Sequence, residues 1–148
     1  MSGPHQITLR QIEAYRFECD FGPGLPRVTT DETPPLGGGT GPAPVDLLLA
    51  SVASCMSSSF HFAMGKFHEA AGPIVTTAAA TTGRDEHNHL RVQAIEIAIG
   101  FAEPAASIGH LDRILAQFEQ FCTVGASVAR GIPVHVTVTD GAGTIVKA

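Results

Sequence analysis

Two of the three cysteines, Cys55 and Cys122, stand 67 residues apart in settings where a thiol could do chemistry. A thiolate is a nucleophile, and its oxidised sulfenic acid condenses with a second thiol to a disulfide. Cys122 falls where one helical pattern stops and a short one starts. A thiol at a helix N-terminus has its acidity raised by the helix dipole. Cys55 falls in the middle of a long helical pattern and needs a nearby cation to become a thiolate. Cys19 lies on the apolar face of a strand and reads as core. Taken alone, each cysteine fits packing better than chemistry, because a buried free cysteine usually acts as a small hydrophobe.

The seven histidines give no metal motif. His87 and His89 could reach one ion from an extended segment, but no third ligand is in sequence reach. No Gly-x-Ser-x-Gly element and no phosphate loop is present. No cofactor is expected.

The element that must position Cys55 is Pro44–Phe67. Pro44 suits a first helical position, and Asp46 complements the dipole in the first turn. Leu48, Val52, Cys55, Met56, Ser59 and Phe60 recur at three- and four-residue steps and share a face. Between Asp46 and Lys66 there is no Asp, Glu, Lys or Arg. A helix apolar or small on nearly all sides is normally covered on nearly all sides. One modest sheet cannot supply that cover, so a homodimer is expected. Ser58 and Ser59, one turn from Cys55, could bond a thiolate or back-bond to the helix. His61 is not a partner of Cys55 within the helix; an interface or core hydrogen bond suits it better.

Before this helix the pattern alternates. Two short strands are expected within His5–Phe21 and a third over Arg27–Thr30. The segment 33–44, TPPLGGGTGPAP, is irregular; it reads as a connector or as a loop whose glycines admit a ligand. After the helix, Ile74–Thr82 and Leu90–Phe101 read as strands. Ile95, Ile97, Ile99 and Phe101 lie on one face of the second. A helix over Ser107–Phe121 and a short one over Val124–Ala129 follow. Pro133–Thr139 is a last strand, and 140–148 a tail or edge strand. The order predicts an α+β fold, with a largely antiparallel sheet over helices, in a single domain spanning 1–148.

The 148 residues carry a formal net charge of −5 with no Lys/Arg cluster, which argues against nucleic acid. No apolar run reaches the roughly 18 residues of a membrane span. No secretory signal is apparent, and three scattered cysteines suit a reducing cytoplasm.

The stretch GGGTGPAPVDLLLASVASC (37–55) resembles the entry to the central helix of the OsmC/Ohr superfamily. Phe121-Cys122-Thr123-Val124, with Ser127-Val128 and Gly131-Ile132-Pro133-Val134, resembles its second-cysteine segment and following strand. The resemblance implies an intertwined homodimer, each subunit placing a curved sheet around long central helices, with a thiol site at the interface. It implies that Cys55 attacks a hydroperoxide, that Cys122 resolves the sulfenic acid to a disulfide, and that external thiols reduce it. The family's peroxidase branches carry a Glu ten residues before the first cysteine, orienting an Arg. Here Val45 holds that position, with Asp46 beside it. Arg16 and Arg27 are the candidates for the Arg, neither within the family's Gly-Arg motif. The first expectation is thus an OsmC-like thiol peroxidase for organic hydroperoxides, and less so for hydrogen peroxide. Leu48, Val52, Met56, Ser59 and Phe60 would line its pocket. The alternatives are a non-catalytic protein binding a small apolar ligand, and a thiol redox sensor.

Overall fold

The computed structural model describes residues 3–148, which form two compact units that divide after Leu48. In the first, β1 (Thr8–Glu13), β2 (Arg16–Asp20) and β3 (Val28–Thr30) make an antiparallel sheet in that order. Cys19, on the inward side of β2, is buried. The alternating sequence sets this register, since a slip of one residue would turn Cys19 outward.

The glycine-rich segment that follows is tied down on one carboxylate. Asp31, itself buried, accepts the backbone N–H groups of Gly38 and Thr40 and the Thr40 hydroxyl. The Thr40 N–H leads the groups that hold this carboxyl below its ordinary range. Gly37 is required here, because a Cβ would run into the Glu32 carbonyl and the Asp31 carboxylate. The glycines thus admit Asp31 rather than an outside ligand, and the segment is anchored.

Helix α1 (Pro44–Lys66) has the predicted start and stops one residue short of the predicted end. Its N-terminal residues belong to the first unit and the rest to the second. It is long and apolar enough to cross a membrane by length and composition alone. Val52, Met56, Ser59, Phe60, Ala63 and Met64 are buried.

In the second unit β4 (Ile74–Arg84), β5 (Leu90–Phe101), β6 (Val134–Thr139) and β7 (Ile145–Lys147) form one sheet in sequence order. β4–β5 and β6–β7 are antiparallel, whereas β5–β6 is parallel, pairing Ile95 with Val134, Ile97 with Val136 and Ile99 with Val138. A parallel pair needs a crossover, and that crossover carries the predicted helices. Ile95, Ile97, Ile99 and Phe101 turn into the core as their period-two spacing requires. Phe60 of α1 packs against Phe101, with centroids 5.6 Å apart, and edge-on against Phe118 at 5.4 Å.

The crossover departs from the single helix expected over Ser107–Phe121. A 3₁₀ turn at Ala105–Ser107, helix α2 (Leu111–Gln117) and a 3₁₀ turn at Phe118–Phe121 replace it. The Gly109 N–H is bonded to the Glu69 side chain, which holds the chain between the first two pieces outside a helical ladder. Helix α3 (Thr123–Val128) comes next.

Asp140 locks the far end of this sheet. It is buried and accepts N–H groups from Ala105 at 2.7 Å, Thr144 at 2.7 Å and Ala142 at 3.0 Å. The Ala105 N–H, then that of Thr144, hold its carboxyl below the ordinary 3.8. A carboxyl depressed by folding lends stability above its unfolded pKa and loses it as pH falls through the folded one. Asp140→Asn is therefore expected to lower the melting temperature at pH 7, with the gap to wild type shrinking below pH 3.8. Melting curves across that range check this.

Candidate functional site

The two cysteines meet. Cys55 faces the start of α3, and the Val124 N–H points at its sulfur from 3.5 Å. Cys122 is the residue that caps α3, and its sulfur accepts the Gly125 N–H at 3.2 Å. Both sulfurs thus face the first-turn amides of α3, and each thiol shifts the acidity of the other. Their exposure differs: Cys55 is half-buried and Cys122 is 0% exposed.

The electrostatics follow from who donates to whom. Burial pushes Cys55 up. The Val124 N–H, the Cys122 thiol and the N–H groups of Gly125 and Thr123 together outweigh it, leaving Cys55 below the ordinary thiol range. Hydrogen bonds to a charged form favour that form. Cys122 goes the other way. Burial raises it, and the hydrogen it gives to Cys55 raises it further, against the Gly125 N–H and the Ser59 hydroxyl.

This reverses the sequence-based assignment. Adjacency in the chain put the activating end of α3 on Cys122. In space that end serves Cys55, which arrives from α1. The cation that Cys55 was expected to need is replaced by neutral donors.

Gly125 makes the arrangement fit. A Cβ there would stand 2.7 Å from the Cys122 sulfur and 2.9 Å from the Met56 methyl. Ser59 back-bonds to the Cys55 carbonyl at 2.9 Å. Ser57 spans from the Ala53 carbonyl to the Thr76 hydroxyl, at 2.7 and 2.6 Å. These bonds fix the turn of α1 that carries Cys55.

Cys55 opens on a hollow of about 400 Å³ lined by Ser58, Ser59, Phe62 and Phe121. Phe62 is 54% exposed and meets Phe121 edge-on at 5.2 Å. The Lys66 ammonium sits 4.7 Å from the centre of the Phe121 ring. The walls are therefore apolar with one cation at the rim.

Of the residues expected to line a pocket, Ser59 does so here. Val52 and Phe60 are fully buried and belong to the core, and Met56 borders a separate hollow of about 240 Å³ with Gly125 and Val134. The heptad-like face that sequence assigned to the pocket is the face that packs the protomer. Leu48 is half-buried in the first unit. The wall residues that sequence reasoning missed, Ser58, Phe62 and Phe121, had a signal. Ser58 and Phe62 are three and seven residues beyond Cys55, and Phe121 adjoins Cys122.

Arg16, Arg27 and Asp46 all lie in the first unit with partners of their own. Arg16 pairs with Glu13 at 2.9 Å. Arg27 pairs with Glu18 at 2.7 Å and with Asp20 at 3.4 Å. Asp46 accepts the Ala43 N–H at 2.8 Å, a bond that closes the entry to α1. Among the described residues no group of three metal-ligating side chains comes together.

Alkylation by iodoacetamide reads this geometry directly. Cys55 is expected to reach half its maximal rate at a lower pH than an ordinary cysteine, because the thiolate is the reactive form. Cys122→Ala removes one donor and is expected to move that midpoint upward. An unchanged midpoint in the variant would show that the Cys122 hydrogen plays no part.

The same architecture recurs in solved structures. An OsmC-like protein from Mycoplasma pneumoniae superimposes with a TM-score of 0.79 at 14% identity, over 95% of this chain and 99% of that one. An organic hydroperoxide resistance protein from Legionella pneumophila gives 0.73 at 12% identity, over 93% and 98%. The organic hydroperoxide resistance protein OhrB of Bacillus subtilis gives 0.68 at 14% identity, over 90% and 96%. At these identities the likeness shows the fold. Comparison with curated proteins gave no match. Residues 37–137 match the OsmC-like protein family. That span contains both halves of the thiol pair and the helix and crossover that bring them together, and by it this chain belongs to the OsmC/Ohr superfamily.

Proposed function

We propose that this protein reduces organic hydroperoxides with Cys55 as the attacking thiolate and Cys122 as the resolving thiol. The observation that carries this reading is the asymmetric pair: a half-buried sulfur that meets the Val124 N–H and has its pKa lowered, beside a fully buried thiol whose pKa is raised. The Cys55 thiolate attacks the terminal peroxide oxygen, the O–O bond breaks, and the alkoxide leaves and takes a proton. Cys55 is then a sulfenic acid. The Cys122 sulfur attacks it, water departs, and a Cys55–Cys122 disulfide remains. Two equivalents of an external thiol restore the pair. The apolar hollow favours an organic peroxide over hydrogen peroxide. Several family members are named for organic hydroperoxide resistance, which agrees with this reading.

The test is consumption of cumene hydroperoxide with excess dithiol, against hydrogen peroxide under the same conditions. Many turnovers with preference for the organic substrate support the proposal; consumption that stops at one equivalent per chain would sink it. That second outcome belongs to the sensor reading, which the ion-paired state of Arg16 and Arg27 favours, since neither guanidinium is left unpaired.

The proposed working unit is a homodimer. Ala50, Ser54, His61 and Gly65 are exposed on α1, and small residues let a second helix approach closely. Light scattering at micromolar concentration should give twice the chain mass.

A further inference from the structure

Once the disulfide has formed, one of its two sulfurs must receive the reductant, and the two criteria that decide this disagree here. Thiol–disulfide exchange depends on access to the attacked sulfur and on the acidity of the thiol that leaves. Attack on Cys122 would release Cys55, the better leaving group of the two. Attack on Cys55 would release Cys122, the poorer one. Access points the opposite way. Cys55 lies on the wall of an open hollow of about 400 Å³. Cys122 is 0% exposed, with the Gly125 N–H 3.2 Å from its sulfur.

Access settles the conflict, because a leaving-group preference acts only at a sulfur that the incoming thiol can reach. Exchange also needs the incoming sulfur in line with the S–S bond, behind the sulfur attacked. Cys122 is fully buried while Cys55 lines an open hollow, so an incoming thiol reaches the Cys55 sulfur and not that of Cys122.

We infer that the disulfide is opened by a small thiol attacking the Cys55 sulfur from the Phe62–Phe121 hollow, so that the mixed disulfide forms on Cys55 and Cys122 leaves. This rests on the proposed function only in needing the Cys55–Cys122 disulfide. The incoming thiolate forms a bond to the Cys55 sulfur, the S–S bond breaks, and its electron pair stays on Cys122. The Gly125 N–H, 3.2 Å from that sulfur, receives the new thiolate until it takes up the proton the reductant gave away. A second thiol then attacks the mixed disulfide, expelling Cys55 in the thiolate form that the α3 amides favour. The poor leaving group thus departs in the first step and the good one in the second.

The experiment uses the wild-type protein. It is oxidised with one equivalent of diamide, and peptide mapping checks for the Cys55–Cys122 bond. Glutathione is added, and samples are quenched with excess N-ethylmaleimide during the reaction and mapped again. The expected intermediate carries glutathione on Cys55 and maleimide on Cys122. Glutathione on Cys122 with maleimide on Cys55 overturns the inference and leaves the proposed function standing. Failure to form the internal disulfide overturns the resolving role of Cys122, and this inference with it.

Discussion

Cys55→Ser is expected to lower hydroperoxide turnover by on the order of 10³-fold or more, the scale on which removal of an attacking nucleophile acts. The physical basis is specific to this position. A serine hydroxyl at Cys55 would meet the same amides of Val124, Gly125 and Thr123, but it would neither ionise near neutral pH nor expel an alkoxide from a peroxide. The change is small in volume and sits at a half-buried site, so the fold should tolerate it. Circular dichroism and melting temperature close to wild type would show that the loss is chemical. Wild-type turnover in the serine variant would remove Cys55 from the reaction. Cys122→Ser is expected to behave differently. The first peroxide is still consumed, and a sulfenic acid trappable by dimedone accumulates on Cys55, because its internal partner is gone.

Gly125→Ala is the second substitution with a large expected effect. The new methyl group must displace either the Cys122 sulfur or the end of Met56. Met56 is flexible and borders a hollow of about 240 Å³, so it gives way more easily than the Cys122 sulfur held on its cap. Overpacking of this kind typically costs about 1–3 kcal/mol. The chemical consequence goes further than the stability loss. Gly125 donates to Cys122 and contributes to holding Cys55 down, so moving this turn weakens both contacts at once. The alkylation midpoint of Cys55 should rise and turnover should fall together. Thermal denaturation gives the first effect and the pH profile of alkylation the second. A variant with lowered stability and an unmoved midpoint would confine Gly125 to packing.

Much of the framework was legible along the chain. Pro44 and the absence of charge up to Lys66 marked α1, and the alternation of Ile95, Ile97 and Ile99 marked β5 over its observed limits. These are local signals, a period and its punctuation. The cysteine pair was legible only through family resemblance, because nothing local connects positions 67 residues apart. The acidities within the pair were where local reasoning misled. Cys122 does occupy the cap of α3, as its place in the chain requires. Which other side chain comes up to the same amides depends on how α1 packs across the crossover, and that is a tertiary fact. The pocket walls were misassigned for a related reason. Periodicity separates the apolar face of a helix from the rest, but it does not say whether that face meets protein or a cavity. In α1 it meets Phe101 and Phe118, through Phe60, and the cavity lies beside it.

The bond from the Val124 amide to the Cys55 sulfur joins residues 69 positions apart. Its donor sits on the crossover between two parallel strands, an arrangement that closes only after long-range pairing has formed. The acidity of Cys55 is therefore acquired late, as a property of the finished molecule rather than of its sequence neighbourhood. A chain still emerging from the ribosome, or one opened by heat, carries at position 55 a thiol of no special reactivity. Reactive sulfur and folded protein appear together and vanish together, so an immature chain is spared premature oxidation at the residue it will later depend on.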